Sequence, residues 1–232
     1  MYDSDSTGKI TDEELIRLID YLREFVTEQR WNRINRVLDS RTRYLNVVLE
    51  DLNQPHNASA VMRSCDAFGI QDLHVIENDN RFTPDSGIAL GSEQWLTVKK
   101  YHGERALDNC LLRLKAKGYQ IVATSPYEQD LDIDKMEFDG KLSLMFGSEL
   151  SGLSDKALEL ADIRCRIPMA GFTESFNISV SVALFMYELS RKLKNSDRDW
   201  GLTDREKQAL RYEWLLKSVK AGEQIVEKFL RN

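Results

Sequence analysis

A parallel α/β sheet covered by helices on both faces, with further helices at both ends, is the architecture this sequence predicts, and three observations predict it. Between Tyr44 and Leu193, short apolar runs alternate with segments whose apolar residues recur at helical spacing, the mark of strand and helix repeating around one parallel sheet. Two of these runs, Leu142 to Phe146 and Ile163 to Ile167, break into polar loops punctuated by Gly147 and Gly152 and by Pro168 and Gly171. Parallel sheets build ligand sites in such loops, at the carboxyl ends of their strands. Outside this span the pattern is helical throughout.

The chain opens with Asp3, Asp5, Gly8, Ile10 and Glu14 at positions one, three, six, eight and twelve of a calcium loop. Thr7 replaces the usual carboxylate or amide, and only two residues precede Asp3. A helix N-terminus capped by Thr11 or Asp12, with Glu13 and Glu14 in its first turn, explains the same residues. From Glu13 to about Leu38, residues such as Leu15, Leu18, Ile19 and Leu22 recur at helical spacing and predict one or two amphipathic helices. Tyr44–Glu50 follows as the first strand, Asn53–His56 as a turn, and Asn57–Phe68 as a helix ended by Gly69. Further strands are expected at Asp72–Glu77, Leu96–Lys100, Tyr119–Thr124, Leu142–Phe146 and Ile163–Ile167. Helices are expected at Gly103–Lys117, Asp155–Ala161 and Asn177–Leu193, and one or two more over Thr203–Leu230. The expected organisation is an N-terminal helical arm over 1–43, a core over 44–194 and a C-terminal helical tail over 195–232.

A length of 232 residues suits one α/β core with appendages and not two full domains. Cys65, Cys110 and Cys165 form no C-x-x-C pair, and His56, His74 and His102 lie at no metal-ligand spacing from them. Reduced, buried thiols and no metal are the expectation. With no signal peptide and no apolar run near the roughly 20 residues that span a bilayer, a cytoplasmic protein without membrane contact is expected. The net charge of -6 excludes a surface that is basic all round. Two local runs stand out, Arg30, Arg33, Arg36, Arg41 and Arg43 against Asp39, and Arg191, Lys192, Lys194 and Arg198 against Asp197. Flanking one core, they point to a polyanionic substrate.

The loop after the first strand has no glycine fingerprint for a dinucleotide and no phosphate-cradling G-x-x-x-x-G-K-[ST], and the chain has no G-x-S-x-G elbow. Dehydrogenases, P-loop enzymes, Gly-rich-loop methyltransferases and serine hydrolases of that class are thereby poorly supported. What the chain supplies is three polar constellations: Asn57 with Arg63, Gly147 with Glu149 and Gly152, and Ser175 with Asn177. Glycine and proline let backbone amides and carbonyls approach a flat ligand edge inside an apolar slot.

In their order and spacing, Pro55-His-Asn57 through Arg63 with Asp66, Phe146-Gly-Ser-Glu149-Leu-Ser-Gly152-Leu-Ser154, and Ile167-Pro-Met through Ser175-Phe-Asn177-Ile-Ser179 resemble the SPOUT superfamily of knotted RNA methyltransferases. Within it they resemble the TrmH group of ribose 2′-O-methyltransferases, over about Arg33 to Arg191. The resemblance implies a deep trefoil knot in the last third of the core, a homodimer, and S-adenosylmethionine held in the knot. It implies cofactor contacts from Thr124, Gly147, Ile167, Met169 and Phe176, where relatives usually carry leucine at the last position. It also implies catalytic roles for Arg63, Asn57, Glu149, Ser175 and Asn177. A guanidinium is a poor base on its own, so Arg63 is expected to bind the adjacent phosphate and stabilise a developing alkoxide. The helical arm and tail look like the branch that methylates guanosine-18 in the tRNA D-loop; ribosomal RNA, another tRNA position and a non-catalytic RNA-binding dimer are the alternatives. The acidic first 28 residues are expected to pack or dimerise instead of touching RNA.

Overall fold

The structure, a computed structural model, describes residues 10–231. Its elements begin with α1 (Asp12–Arg23), α2 (Glu28–Leu38), β1 (Leu45–Glu50), α3 (Pro55–Phe68) and β2 (Asp72–Glu77). They continue with α4 (Ser86–Ala89), β3 (Thr97–His102), α5 (Ala106–Ala116), β4 (Tyr119–Thr124), β5 (Leu131–Asp132) and β6 (Lys141–Phe146). The last are α6 (Asp155–Leu160), β7 (Ile163–Arg166), α7 (Ile178–Lys194), α8 (Asp204–Ser218) and α9 (Gly222–Leu230). Two compact units result, one from the chain ends, up to Thr42 and from Gly201, and one from Arg43–Trp200.

In the first unit α1 and α2 pack on α8, burying Leu15, Leu18, Leu22 and Leu38 with Leu210, Trp214 and Leu215. Helix α1 starts in a capping box: the Glu14 amide donates to the Thr11 hydroxyl and the Thr11 amide donates to the Glu14 carboxylate. Two backbone donors at the start of the helix are thus satisfied reciprocally, and the bonds that the Glu14 carboxylate accepts from the Thr11 amide and hydroxyl hold it below its ordinary range. Asp3, Asp5 and Gly8 of the calcium-loop pattern lie outside the described residues.

The second unit is a seven-stranded sheet in the order β3-β2-β1-β6-β4-β7-β5 with every pairing parallel. Alternate residues of β1 serve its two faces, as strand geometry requires. Val47 and Leu49 join a core with Val61 and Met62 of α3 and Val182, Phe185 and Leu189 of α7. Val48 joins a second core with Cys110 and Leu111 of α5 and Ala157 of α6. The three cysteines are free and buried, and burial pushes the Cys110 and Cys165 thiols up to about 12.

Most expected elements form within two or three residues of their expected bounds. Helix α3 begins two residues early because Pro55 occupies its first turn, where a missing N–H is harmless, and it ends at Gly69 in the left-handed conformation, φ 79°. The tail splits into α8 and α9 at Ala221, φ 59°. Neither α4 nor β5 was anticipated: four and two residues are too few to carry a period. Among the described residues no helix is long and apolar enough to cross a membrane, and no group of His, Cys, Asp and Glu could hold a metal ion.

Candidate functional site

From β1 the chain winds outward through α3 to β2 and β3, while β6, β4, β7 and β5 lie on the other side. The loops leaving the carboxyl ends of β1 and β6 therefore face each other at the switch point of the sheet, where open α/β folds bind ligands. Here Glu149 reaches the start of α3. Its carboxylate accepts from the Asn53 amide at 3.2 Å, the Gln54 amide at 3.3 Å and the Asn57 side chain at 2.7 Å. Helix α3 has no side-chain cap from its own N-cap residue; an anion from a distant loop takes that place at the positive end of the helix.

Asn57, 2% exposed, carries the connection further. Its Oδ1 accepts from Asn177 Nδ2 at 3.2 Å, and Asn177 in turn caps α7 by accepting from the Ser179 amide at 2.9 Å. One hydrogen-bonded chain, Glu149–Asn57–Asn177, thus joins all three polar constellations. The loop bearing Glu149 is a tight turn closed by mutual 3.0 Å bonds between Ser148 and Gly152. Gly147 must be glycine, since a Cβ there would meet the Gly152 carbonyl carbon at 2.0 Å. Behind the turn, Ser154 donates from its amide and hydroxyl to Glu50, at 2.8 and 2.7 Å, so the end of β1 fixes this loop too.

A cavity of about 500 Å³ opens between this turn, the end of β4 and the segment before α7. Its wall contains Thr124, Gly147, Ile167, Met169 and Phe176, along with Glu149, Ser175 and Asn177. Phe146 and Phe185, edge to face at 5.6 Å, form an apolar side. Size and mixed lining suit a nucleoside-bearing ligand, and the turn at Gly147 leaves backbone where a side chain would otherwise intrude. Thr124 Oγ1 donates to the Met145 carbonyl at 3.0 Å, so it ties β4 to β6 as well as lining the cavity.

Arg63 is placed differently. It is exposed, absent from the cavity wall of its own chain, and donates from Nη1 to the Ile88 carbonyl at 3.3 Å. Ser125, which hydrogen-bonds Asp130, and Tyr127 also line the cavity and were not singled out from the sequence. The polar break after β4 was the available signal, the same kind that marks the loops after β6 and β7.

Residues 44–187 match the SpoU rRNA Methylase family. A relative in Borreliella burgdorferi named tRNA (guanosine(18)-2′-O)-methyltransferase is 40% identical over 95% of this chain and 100% of its own length. Among solved structures, the Aquifex aeolicus TrmH/SpoU tRNA modifying enzyme aligns with TM-score 0.74 and 30% identity over 83% of this chain and 98% of its own. The SpoU methyltransferase AviRb from Streptomyces viridochromogenes, solved with its cofactor AdoMet, aligns with TM-score 0.60 and 26% identity over 68% of this chain and 64% of its own. A switch-point cavity lined by the second and third motifs and tied through Asn57 to the first, a family match over most of the sheet unit and a relative matched along its whole length agree, and the chain belongs to the SpoU rRNA methylase family.

Proposed function

We propose that this protein transfers a methyl group from S-adenosylmethionine to a ribose 2′-hydroxyl in RNA, with guanosine-18 of the tRNA D-loop as its target. The observation that carries the proposal is the Glu149–Asn57–Asn177 chain, which ties the loop after β1 to two loops that line one cavity. The name of the full-length Borreliella relative supports the target. The donor, when bound, supplies a methyl group already activated for transfer. Gly147, Thr124, Ile167, Met169 and Phe176 would hold it.

The remaining work falls to side chains that orient the acceptor. Asn57 and Glu149 keep the loops after β1 and β6 in register, Ser175 and Asn177 complete the polar rim, and alignment of this kind can supply much of the rate. Arg63 binds the phosphate next to the reacting ribose and stabilises charge developing on its oxygen. Because Arg63 is outside the cavity wall of its own chain, the reading has it serve the cavity of a second copy. An exposed apolar stripe on α7, Val180, Leu184 and Tyr187, recurs at helical spacing and supports such a homodimer. In this proposal the segment that ends in α7 forms a trefoil knot.

For RNA contact the two basic runs are unequal. Arg30, Arg33 and Arg36 are exposed on α2, but Arg41 is 1% exposed with its guanidinium over the Trp214 ring, and Arg43 pairs with Asp72. In the second run Arg191 pairs with Glu188 and Lys192 donates to the carbonyls of Ile133, Asp134 and Met136. Lys194 and Arg198 lie over Trp200 and Phe138. The α2 arginines are the RNA-facing ones in this reading.

Arg63→Ala is expected to lower methyl transfer to tRNA by about 100-fold or more while calorimetric binding of S-adenosylmethionine persists. Full turnover by that variant removes Arg63 from the mechanism. A wild-type protein that binds no S-adenosylmethionine would leave an RNA-binding dimer instead. Mapping ribose methylation at position 18 in RNA from a deletion strain tests the target.

A further inference from the structure

Arg63 projects from the middle of α3, and its guanidinium donates to a short turn 25 residues further along the chain. Ser59, one helical turn before Arg63 and on the same face of α3, is fully buried. Its hydroxyl accepts from the Asp85 amide at 2.7 Å, with the Pro55 and Asp85 carbonyls at 2.9 and 3.1 Å to share its single proton. A bond to the carbonyl four residues back is ordinary for a helical serine; the reach across 26 residues to both backbone groups of Asp85 is not local in origin.

Asp85 then builds α4. Its carboxylate accepts from the Gly87 amide at 2.8 Å, and its carbonyl accepts from the Ile88 and Ala89 amides at 3.1 and 2.9 Å. The turn is closed on its far side by Ser92 Oγ, which donates to the Ala89 carbonyl at 2.7 Å. Leu90 is held there at φ 50°, a left-handed conformation that costs a leucine about 1 kcal/mol and persists where neighbours dictate it. The product of this arrangement is one carbonyl, that of Ile88, aimed at Arg63 Nη1.

We infer that Ser59 and Asp85 are positioning residues for methyl transfer, which hold α4 against α3 so that the Ile88 carbonyl sets the direction in which Arg63 presents its guanidinium. A guanidinium carries five N–H donors in a fixed fork. Tethering one of them leaves the others oriented toward solvent and an incoming phosphate, and removes rotamer freedom from a long side chain before substrate arrives. The inference rests on the role proposed for Arg63.

The test is steady-state kinetics of tRNA methylation with calorimetric donor binding. Ser59→Ala and Asp85→Ala should each lower kcat by about tenfold or more, since small misplacements of a reacting group have effects of this size, with donor Kd within about twofold. Asp85 is exposed, so its variant keeps the test alive should the buried serine prove needed for folding. Asp85→Asn, which retains the acceptor for the Gly87 amide, should restore the rate. The double variant should be no slower than the worse single one, because both act through one turn. Retention of kcat within about twofold in Asp85→Ala, while Arg63→Ala is inactive, overturns the inference and leaves the role of Arg63 standing. An active Arg63→Ala overturns that role itself.

Discussion

At the carboxyl ends of β1 and β6, Asn57 is a buried amide that joins Glu149 to Asn177 beside an open cavity. Away from the cavity, from the amino ends to the middle of the same sheet, buried and half-buried polar groups close on one another. Arg43 Nε sits 3.2 Å from an oxygen of Asp72, the Tyr119 hydroxyl donates to the Arg43 carbonyl, and His74 hydrogen-bonds the Tyr101 hydroxyl at 3.0 Å with their rings stacked. In both regions these named groups find partners, as buried polar groups need to. They differ in what lies alongside. At one end a change in a side chain moves the walls of a cavity; at the other it disturbs the packing and charge balance of the sheet. Substitutions at the carboxyl end should therefore be read first in binding and turnover, and those at the amino end first in stability.

The largest effect that could sharpen this contrast is expected from Gly147→Ala. Its added Cβ would lie 2.1 Å from the Gly152 oxygen and the Leu153 nitrogen, backbone atoms that cannot rotate aside. The Ser148–Gly152 turn must open, and S-adenosylmethionine affinity measured by calorimetry should fall by about 100-fold or more, on the scale at which lost complementarity is felt in small-ligand pockets. Near-normal affinity would mean that this turn is no part of the donor site. A smaller loss is expected from Asn57→Ala. Glu149 keeps its two backbone donors, but Asn177 Nδ2 loses its acceptor, and a broken link of this kind costs about 1–3 kcal/mol. Methyl transfer should drop by roughly tenfold to 100-fold, more than the change in thermal unfolding would suggest. If only the unfolding changed, the carboxyl end would behave like the amino end and the contrast would be lost.

How far this could be read from the sequence differs between local and distant partners. Strands β2 and β4, the stop at Gly69 and the cap at Thr11 follow from residues within a few positions of one another. The three loops were marked by glycine and polar breaks after apolar runs. What the residues did not reveal was which partner each would find. Glu149 meets Asn57 across 92 positions, so its service as the cap of α3 has no local pattern. The basic runs show the same blindness from the other side. Charge is visible in a sequence, but the burial of Arg41 and the three carbonyls around Lys192 depend on chain segments far away.

The smallest effect at neutral pH is expected at His74, and it gives the amino end its own signature. Burial is the main reason its pKa falls to about 4; Lys99, Lys117 and Arg113 push in the same direction, and Asp72 opposes them. In the unfolded chain a histidine titrates near 6.5. Between these values the unfolded state takes up a proton that the folded state refuses, so stability falls as pH falls, by a slope approaching about 1.4 kcal/mol per pH unit from this group alone. Above about pH 6.5 the imidazole is neutral in both states and the contribution is constant. His74→Gln keeps a side chain able to hydrogen-bond Tyr101 but cannot take up the proton. Denaturant unfolding at pH 7 should then place the variant within about 1 kcal/mol of the parent, with methyl transfer unchanged, and the two stability curves should separate only as acid is added, the variant declining less steeply. A variant that unfolds normally at pH 7 yet loses turnover would show that the amino end of the sheet reaches the reaction after all.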